Sequence, residues 1–167
     1  GTARTPEGAA RLRSIGFEAS VLCEGAPGAG AIPAIAGSSH ILVSIPPDAD
    51  GDPVLRHYDA DLAASAAEWI GYLSTVGVYG DHQGAWVDET SETRPVSARS
   101  RRRVAAEAAW LEFGRRTGKA VHIFRLAGIY GPGRSAIDNI RAGAARRLDK
   151  PGQVFNRVHV DDIATVL

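Results

Sequence analysis

What this chain lacks narrows it first. Its 167 residues include a single cysteine, Cys23, which excludes an internal disulfide and a multi-cysteine zinc site and fits a reducing compartment. It also lacks an excess of charge. Nineteen Lys and Arg balance nineteen Asp and Glu, so no overall field would hold a nucleic acid or an anionic membrane, and a ligand must be met by local chemistry. No apolar run approaches the ~20 residues that a membrane helix needs. The opening residues Gly1-Thr2-Ala3-Arg4 have neither the charged start nor the apolar centre of a secretory signal. No G-x-S-x-G nucleophile elbow occurs, which counts against a doubly wound hydrolase. The expectation is a cytoplasmic protein with a small-molecule partner, and with neither nucleic acid nor membrane as a ligand. Its 44% hydrophobic content suffices for the core of one domain, or of a domain with part of a second.

What is present reads as strands and helices in alternation. Pro6 suits a first helical position, Ala9, Leu12 and Ile15 share a face, and Gly16 closes it, predicting a helix over residues 5–16. "FEASVL" is read as a short strand, Gly25 to Gly37 as a loop with a helical turn, and "SSHILVSIPP" as a strand ended by Pro46 and Pro47. The stretch "DGDPVLRHYDADLAASAA" is weakly helical, "EWIGYLST" is a strand, and Ser97 to Thr117 is a long helix stopped by Gly118. "KAVHIFRLAGIYGPG" predicts a strand running into a glycine-rich turn. After it come a helix from Ser135 to Leu148, the strand "QVFNRVHV" and a helix capped by Asp161 or Asp162.

Continuously apolar strands separated by helices predict an α/β fold, a doubly wound parallel sheet covered on both faces. In such sheets ligands lie beyond the carboxyl ends of the strands. Ile45 to Pro47, Ser74 to Val76 and Leu126 to Gly131 all occupy predicted strand exits, so one crevice lined by the three is expected. The plainer alternative is that glycine and proline mark any strand exit.

Four ordered blocks say more. "YLSTVGVYGD" from Tyr72, "RPVSARSRRRVAAEAAW" from Arg94, "FRLAGIYGPGR" from Phe124 and the later "RVHVDDIATVL" together resemble the extended short-chain dehydrogenase/reductase family, the NAD(P)-dependent epimerase/dehydratase group. The resemblance implies a partial Rossmann-like NAD(P)-binding fold. It implies a dinucleotide-binding domain over 1–134, incomplete at its front, and the start of a substrate-binding portion over 135–167. The family's glycine-rich cofactor fingerprint has no counterpart, and "GAPGAG" from Gly25 is no substitute, because no strand-to-helix dinucleotide unit surrounds it. The chain is therefore expected to enter near the end of the family's second strand and to stop short at its back.

On this resemblance Thr75 matches a catalytic hydroxyl, while Arg99 and Arg103 stand at the positions of the family's catalytic Tyr and Lys. Arginine holds its proton to beyond pH ~12 and has no acceptor, so it is no general base near neutrality, but its fork suits ribose, phosphate or a carboxylate. The pattern resembles an atypical branch that keeps the dinucleotide fold without the Tyr. Cofactor contacts are expected from Thr2, Arg4, Ser44, Ile45, Pro46, Ser74, Leu126, Ala127 and Gly128. Arg4 beside the adenosine ribose would accommodate a 2′-phosphate, which favours NADP, with NAD the alternative.

Plainer roles stand beside these. Thr75 and Ser74 can be strand-end hydroxyls satisfying backbone groups. Arg101 and Arg102 read as a solvated helix surface, and Arg103 could pair with Glu107. His82 reads as a loop histidine, Tyr79 and Tyr130 as packing residues, and Trp69, Trp86 and Trp110 as core or loop anchors. His159, Asp161 and Asp162 do not make a metal cage, and no metal is expected.

Overall fold

A computed structural model of the chain describes residues 1–22, 29–146, 149 and 151–167. Cys23, the start of the Gly25 to Gly37 loop and the end of the helix expected to reach Leu148 lie outside the described residues. The chain divides into two compact units, one comprising Gly1–Tyr72 with Ala105–Ile123 and the other Leu73–Val104 with Phe124–Leu167.

The first unit begins with β1 (Thr2–Ala3), α1 (Pro6–Ser14) and β2 (Ser20–Val21). Thr5 caps α1 by accepting from Gly8 N, and Pro6 supplies the fixed backbone angle of a first turn. β1 and β2 form a parallel pair. The strand expected over "FEASVL" is only these two residues of β2, and Phe17 is exposed rather than packed in a strand. Then come α2 (Ile32–Gly37), β3 (His40–Val43), α3 (Pro53–Ala64) and β4 (Trp69–Thr75). Asp52 caps α3 by accepting from Val54 N and Leu55 N, and α3 departs from helical geometry at Tyr58. β3 pairs in parallel with β4, Val43 facing Tyr72, and β4 is in turn flanked by β5 (Ala120–Leu126).

The core of this unit is aromatic. Trp110 and Phe113, from α4 (Ala98–Thr117), are buried with Tyr72 and Ile70 of β4 and Tyr58 and Leu62 of α3. The Trp110 ring meets Phe113 edge-on at 5.7 Å and Tyr72 at 5.9 Å, the offset geometries that aromatic quadrupoles favour. Gly71 is required where it stands, since a Cβ there would run into the Trp69 ring. Trp69 itself lies between His40 and His122. Lys119 ties the start of β5 to the end of α3 by donating to Ser65 O and Ala67 O, both at 2.9 Å.

The second unit holds the exits of β4 and β5, the loop from Tyr79 to Ser97 and the first turns of α4. It also contains β6 (Gly128–Tyr130), α5 (Ala136–Arg141), β7 (Arg157–His159) and α6 (Val160–Val166), with β6 and β7 paired in parallel. Ser97 Oγ accepts from Ser100 N at the start of α4. The strand expected to run through Gly128 is broken at Ala127 into β5 and β6. α5 is shorter than the helix expected over residues 135–148, ending at Arg141. The cap of α6 is His159, whose ring accepts from Asp161 N; Asp161 and Asp162 sit in the first turn, so the capping role expected of them is corrected. Their charge still suits the positive end of the helix dipole. Trp86 is fully exposed and anchors nothing, against expectation. No helix among the described residues is long and apolar enough to cross a membrane.

Trp110 Nε1 is buried with no hydrogen-bond partner among the described residues. Trp110→Phe removes that orphan donor, worth about 1–3 kcal/mol, and offsets the roughly 1 kcal/mol of a small new cavity. Denaturant unfolding should therefore find Trp110→Phe within about 1 kcal/mol of wild type, whereas Trp110→Ala loses about 3–5 kcal/mol. Equal losses for the two variants would contradict this account.

Candidate functional site

The first unit contains a cavity of about 370 Å³ at the exits of β1 and β3. Five of the residues expected to hold cofactor line it: Thr2 in β1, Arg4 just after it, and Ser44, Ile45 and Pro46 after β3. Arg4 and the residues after Val43 lie beyond the strand ladders, and Pro46 and Pro47 do not allow β3 to continue. Arg4 is exposed and has no ion-pair partner among the described residues.

Part of the lining of this cavity was not expected from the sequence. It comes from the loop before α3 and from the first turns of that helix: Asp48, Arg56 and His57. Arg56 grips Asp48 with both arms of its guanidinium, Nη1 to Oδ1 at 3.0 Å and Nη2 to Oδ2 at 2.8 Å. This hydrogen bonding to Asp48 is the main cause that raises the Arg56 pKa above its already high ordinary value. Asp48 Oδ1 also accepts from Asp50 N, which folds the loop back on itself. The signal in the sequence was an acid and a base eight residues apart across a Pro-flanked helix start, too weak to single out before the loop's course is known.

A second cavity, of about 270 Å³, is lined by β1, β2, β3 and the apolar faces of α2 and α3. It presents no Arg or Lys, so only the larger cavity can meet an anion with a side-chain cation of fixed charge.

In the second unit, Thr75 closes β4 and caps the short turn that follows, its Oγ1 accepting from Gly77 N at 3.1 Å. This is the strand-end role anticipated as its plainer reading, and it leaves the hydroxyl hydrogen free to donate. Ser74 is buried. Arg103 is not a solvated residue: it is 8% exposed, and its Nη1 donates to Leu73 O at 2.7 Å. Arg99, one turn earlier, is exposed, as are Arg101 and Arg102. A shared position at i and i+4 therefore does not give Arg99 and Arg103 the same environment.

Tyr79 is buried and accepts from Arg125 Nη1 at 2.9 Å, and His82 is bonded through Nε2 to Glu92 O at 3.1 Å, so both are engaged in holding the loop. Tyr130 is partly exposed, with its ring against His159. Leu126 ends β5, Ala127 is the break, and Gly128 opens β6, where a side chain would run into the Arg157 guanidinium. Among the described residues no cluster of metal-ligating side chains occurs.

No protein-family model and no curated protein matches the chain. Solved structures do. A conserved protein of unknown function from Silicibacter pomeroyi is 44% identical, with a TM-score of 0.83 over 99% of this chain and 56% of its own. UDP-N-acetylglucosamine 4-epimerase from Methanobrevibacter ruminantium, in complex with UDP-N-acetylmuramic acid, is 14% identical, with a TM-score of 0.70 over 98% of this chain and 62% of its own. A variant of UDP-glucuronic acid 4-epimerase from Bacillus cereus, in complex with a fluorinated UDP-glucuronic acid and NAD, is 15% identical, with a TM-score of 0.70 over 94% of this chain and 57% of its own. The chain thus spans a little over half the length of these solved chains. Parallel strand pairs, intervening helices and these neighbours agree: the chain has the Rossmann-like α/β fold of the NAD-dependent epimerase/dehydratase proteins.

Proposed function

We propose that this chain carries the dinucleotide-binding part of an NAD(P)-dependent oxidoreductase of the epimerase/dehydratase type, with NADP as cofactor and a small molecule as substrate. The supporting observation is the cavity at the exits of β1 and β3. Arg4 stands there as an uncommitted cation, Thr2 adds a hydroxyl, and Ser44, Ile45 and Pro46 offer a short polar and apolar wall. That donor set fits an adenosine ribose bearing a phosphate, since Arg4 accommodates the 2′-phosphate where an acidic residue would favour the free ribose of NAD. The neighbour bound to NAD supports a nicotinamide cofactor, and the choice of NADP rests on Arg4. When bound, the cofactor supplies hydride chemistry at C4 of its nicotinamide, and the protein supplies position and electrostatics.

Ser74, Leu126, Ala127 and Gly128 remain candidate cofactor contacts on the resemblance, with the substrate-binding portion beginning near residue 135. Thr75 holds the substrate oxygen: its Oγ1 accepts from Gly77 N, and its O–H is left to donate. Arg99 and Arg103 are the candidates to orient ribose hydroxyls or an anionic substrate group. The cytoplasm is the location that the single cysteine fits.

A second reading is favoured by one observation. Arg99 and Arg103 offer no proton acceptor, and Arg103 is buried against Leu73 O. A protein so built could bind a dinucleotide without catalysis, as a regulator or scaffold. Multiple-turnover reduction or epimerisation would exclude that role.

Arg4→Ala should weaken NADP binding about tenfold or more while leaving NAD within about twofold, measured by calorimetric titration of both. Equal changes for the two would sink the NADP assignment. Thr75→Val should lower turnover about tenfold or more, with cofactor affinity nearly unchanged, while Thr75→Ser keeps both the cap and the donor. Loss of stability alone in Thr75→Val would return the residue to a purely capping role. Arg103→Met should cost about 1–3 kcal/mol of unfolding free energy by leaving the Leu73 carbonyl unpaired; an unchanged denaturation midpoint would show that this bond does not brace the exit of β4.

A further inference from the structure

The cavity that Arg4 lines also carries a charge arrangement that the dinucleotide reading does not use. Asp48 and Arg56 both line the 370 Å³ cavity, and their fork is bidentate, with the Asp48 side chain 44% and the Arg56 side chain 34% exposed. A guanidinium bound this way presents its paired edge to a carboxylate rather than to a ligand. Asp48 is in turn held by its bond to Asp50 N, and an antiparallel bridge between Asp48 and Gly51 closes the same turn. The pair is thus built into the loop and not two flexible side chains that happen to meet.

We infer that the Asp48–Arg56 pair is a specificity-determining element that limits how strongly the adenosine end of the cavity takes a phosphate-bearing ribose. This rests on the proposal that the cavity holds the adenosine part of a dinucleotide. Asp48 acts in two ways. Its charge repels an incoming phosphate in a cavity of small volume, and its oxygens hold both terminal nitrogens of Arg56 in an ion pair, which partly neutralises the cation that would otherwise join Arg4 on the phosphate oxygens. The cavity then offers one available fixed side-chain cation, Arg4, instead of two. The arrangement keeps the site selective without making it a general anion trap, and a single neutralising change should alter the balance.

Asp48→Asn is the direct test, because the Asn side-chain carbonyl preserves the acceptor for Asp50 N while removing the charge. The probes are adenosine 2′,5′-bisphosphate and 5′-AMP, which carry only the adenosine end, titrated calorimetrically into the 167-residue chain. Asp48→Asn should tighten adenosine 2′,5′-bisphosphate about three- to tenfold, the scale of one partly solvated charge contact, and leave 5′-AMP within about twofold. Arg56→Gln should move the first ligand the other way, because it leaves the Asp48 charge uncompensated, and the double variant should lose most of the gain. Unfolding midpoints for each variant separate these effects from loss of the loop. If Asp48→Asn instead weakens 5′-AMP, Asp48 holds the ribose hydroxyls and the inference is overturned; unchanged affinity for both ligands overturns it as well. Wild-type protein that binds neither probe would overturn the dinucleotide reading itself and this inference with it.

Discussion

The burial of α4 against β4 is the contact on which the other features of the first unit depend. Ala106, Trp110 and Phe113 place a continuous apolar face on Ile70 and Tyr72, and burial of two large aromatic side chains alone contributes several kcal/mol, roughly 1.5–3 kcal/mol for each side chain. β4 is fixed by this face, and β3 is fixed by its register on β4. The exit of β3 therefore falls where Ser44, Ile45 and Pro46 can line a cavity with the end of β1. The edge charges follow the same logic: Arg116 reaches Asp59, and Lys119 reaches two carbonyls at the end of α3, holding the helices that flank the strands.

Arg99 and Arg103, one turn apart on α4, differ in a way that the helix alone does not give. Arg103 keeps its charge in a nearly buried place because its donors meet a backbone carbonyl, which lowers the penalty of removing a guanidinium from water. Arg99 remains in solvent, where it is free to move. The two arginines thus stand in different environments, one nearly buried at a strand exit and one in solvent, a difference that an alignment by position does not carry.

Much of the fold was legible in the sequence. The apolar runs around Ile41 and Ile70, the proline at the start of α1, the Asp52-Pro53 start of α3 and the Gly118 stop of α4 each carry a local signal that tertiary packing did not override. Where reading failed, the signal was not local. β5 breaks at Ala127 because β6 pairs with β7 and not with the neighbours of β5. His159 took the cap expected of Asp161 because the chain reaches α6 directly from β7, leaving both aspartates inside the first turn. Trp86 was read as an anchor from its hydrophobicity, but the loop around it offers nothing to pack against.

The sequence by itself determined the class of the protein: alternating apolar strands and helices, a balanced charge, and blocks in an order that few folds share. It also placed Arg4 and Thr75 at element ends and Arg99 and Arg103 in the first turns of a helix, since proline, glycine and period are local properties of the chain. Only the tertiary structure decided which of these residues have partners. It brought Asp48 and Arg56 to the cavity that Arg4 lines, buried Arg103 against a carbonyl and left Arg99 in water. The reason is that charge chemistry depends on distance and solvent, and both are fixed by contacts between residues far apart in the chain, which no window of neighbouring residues encodes.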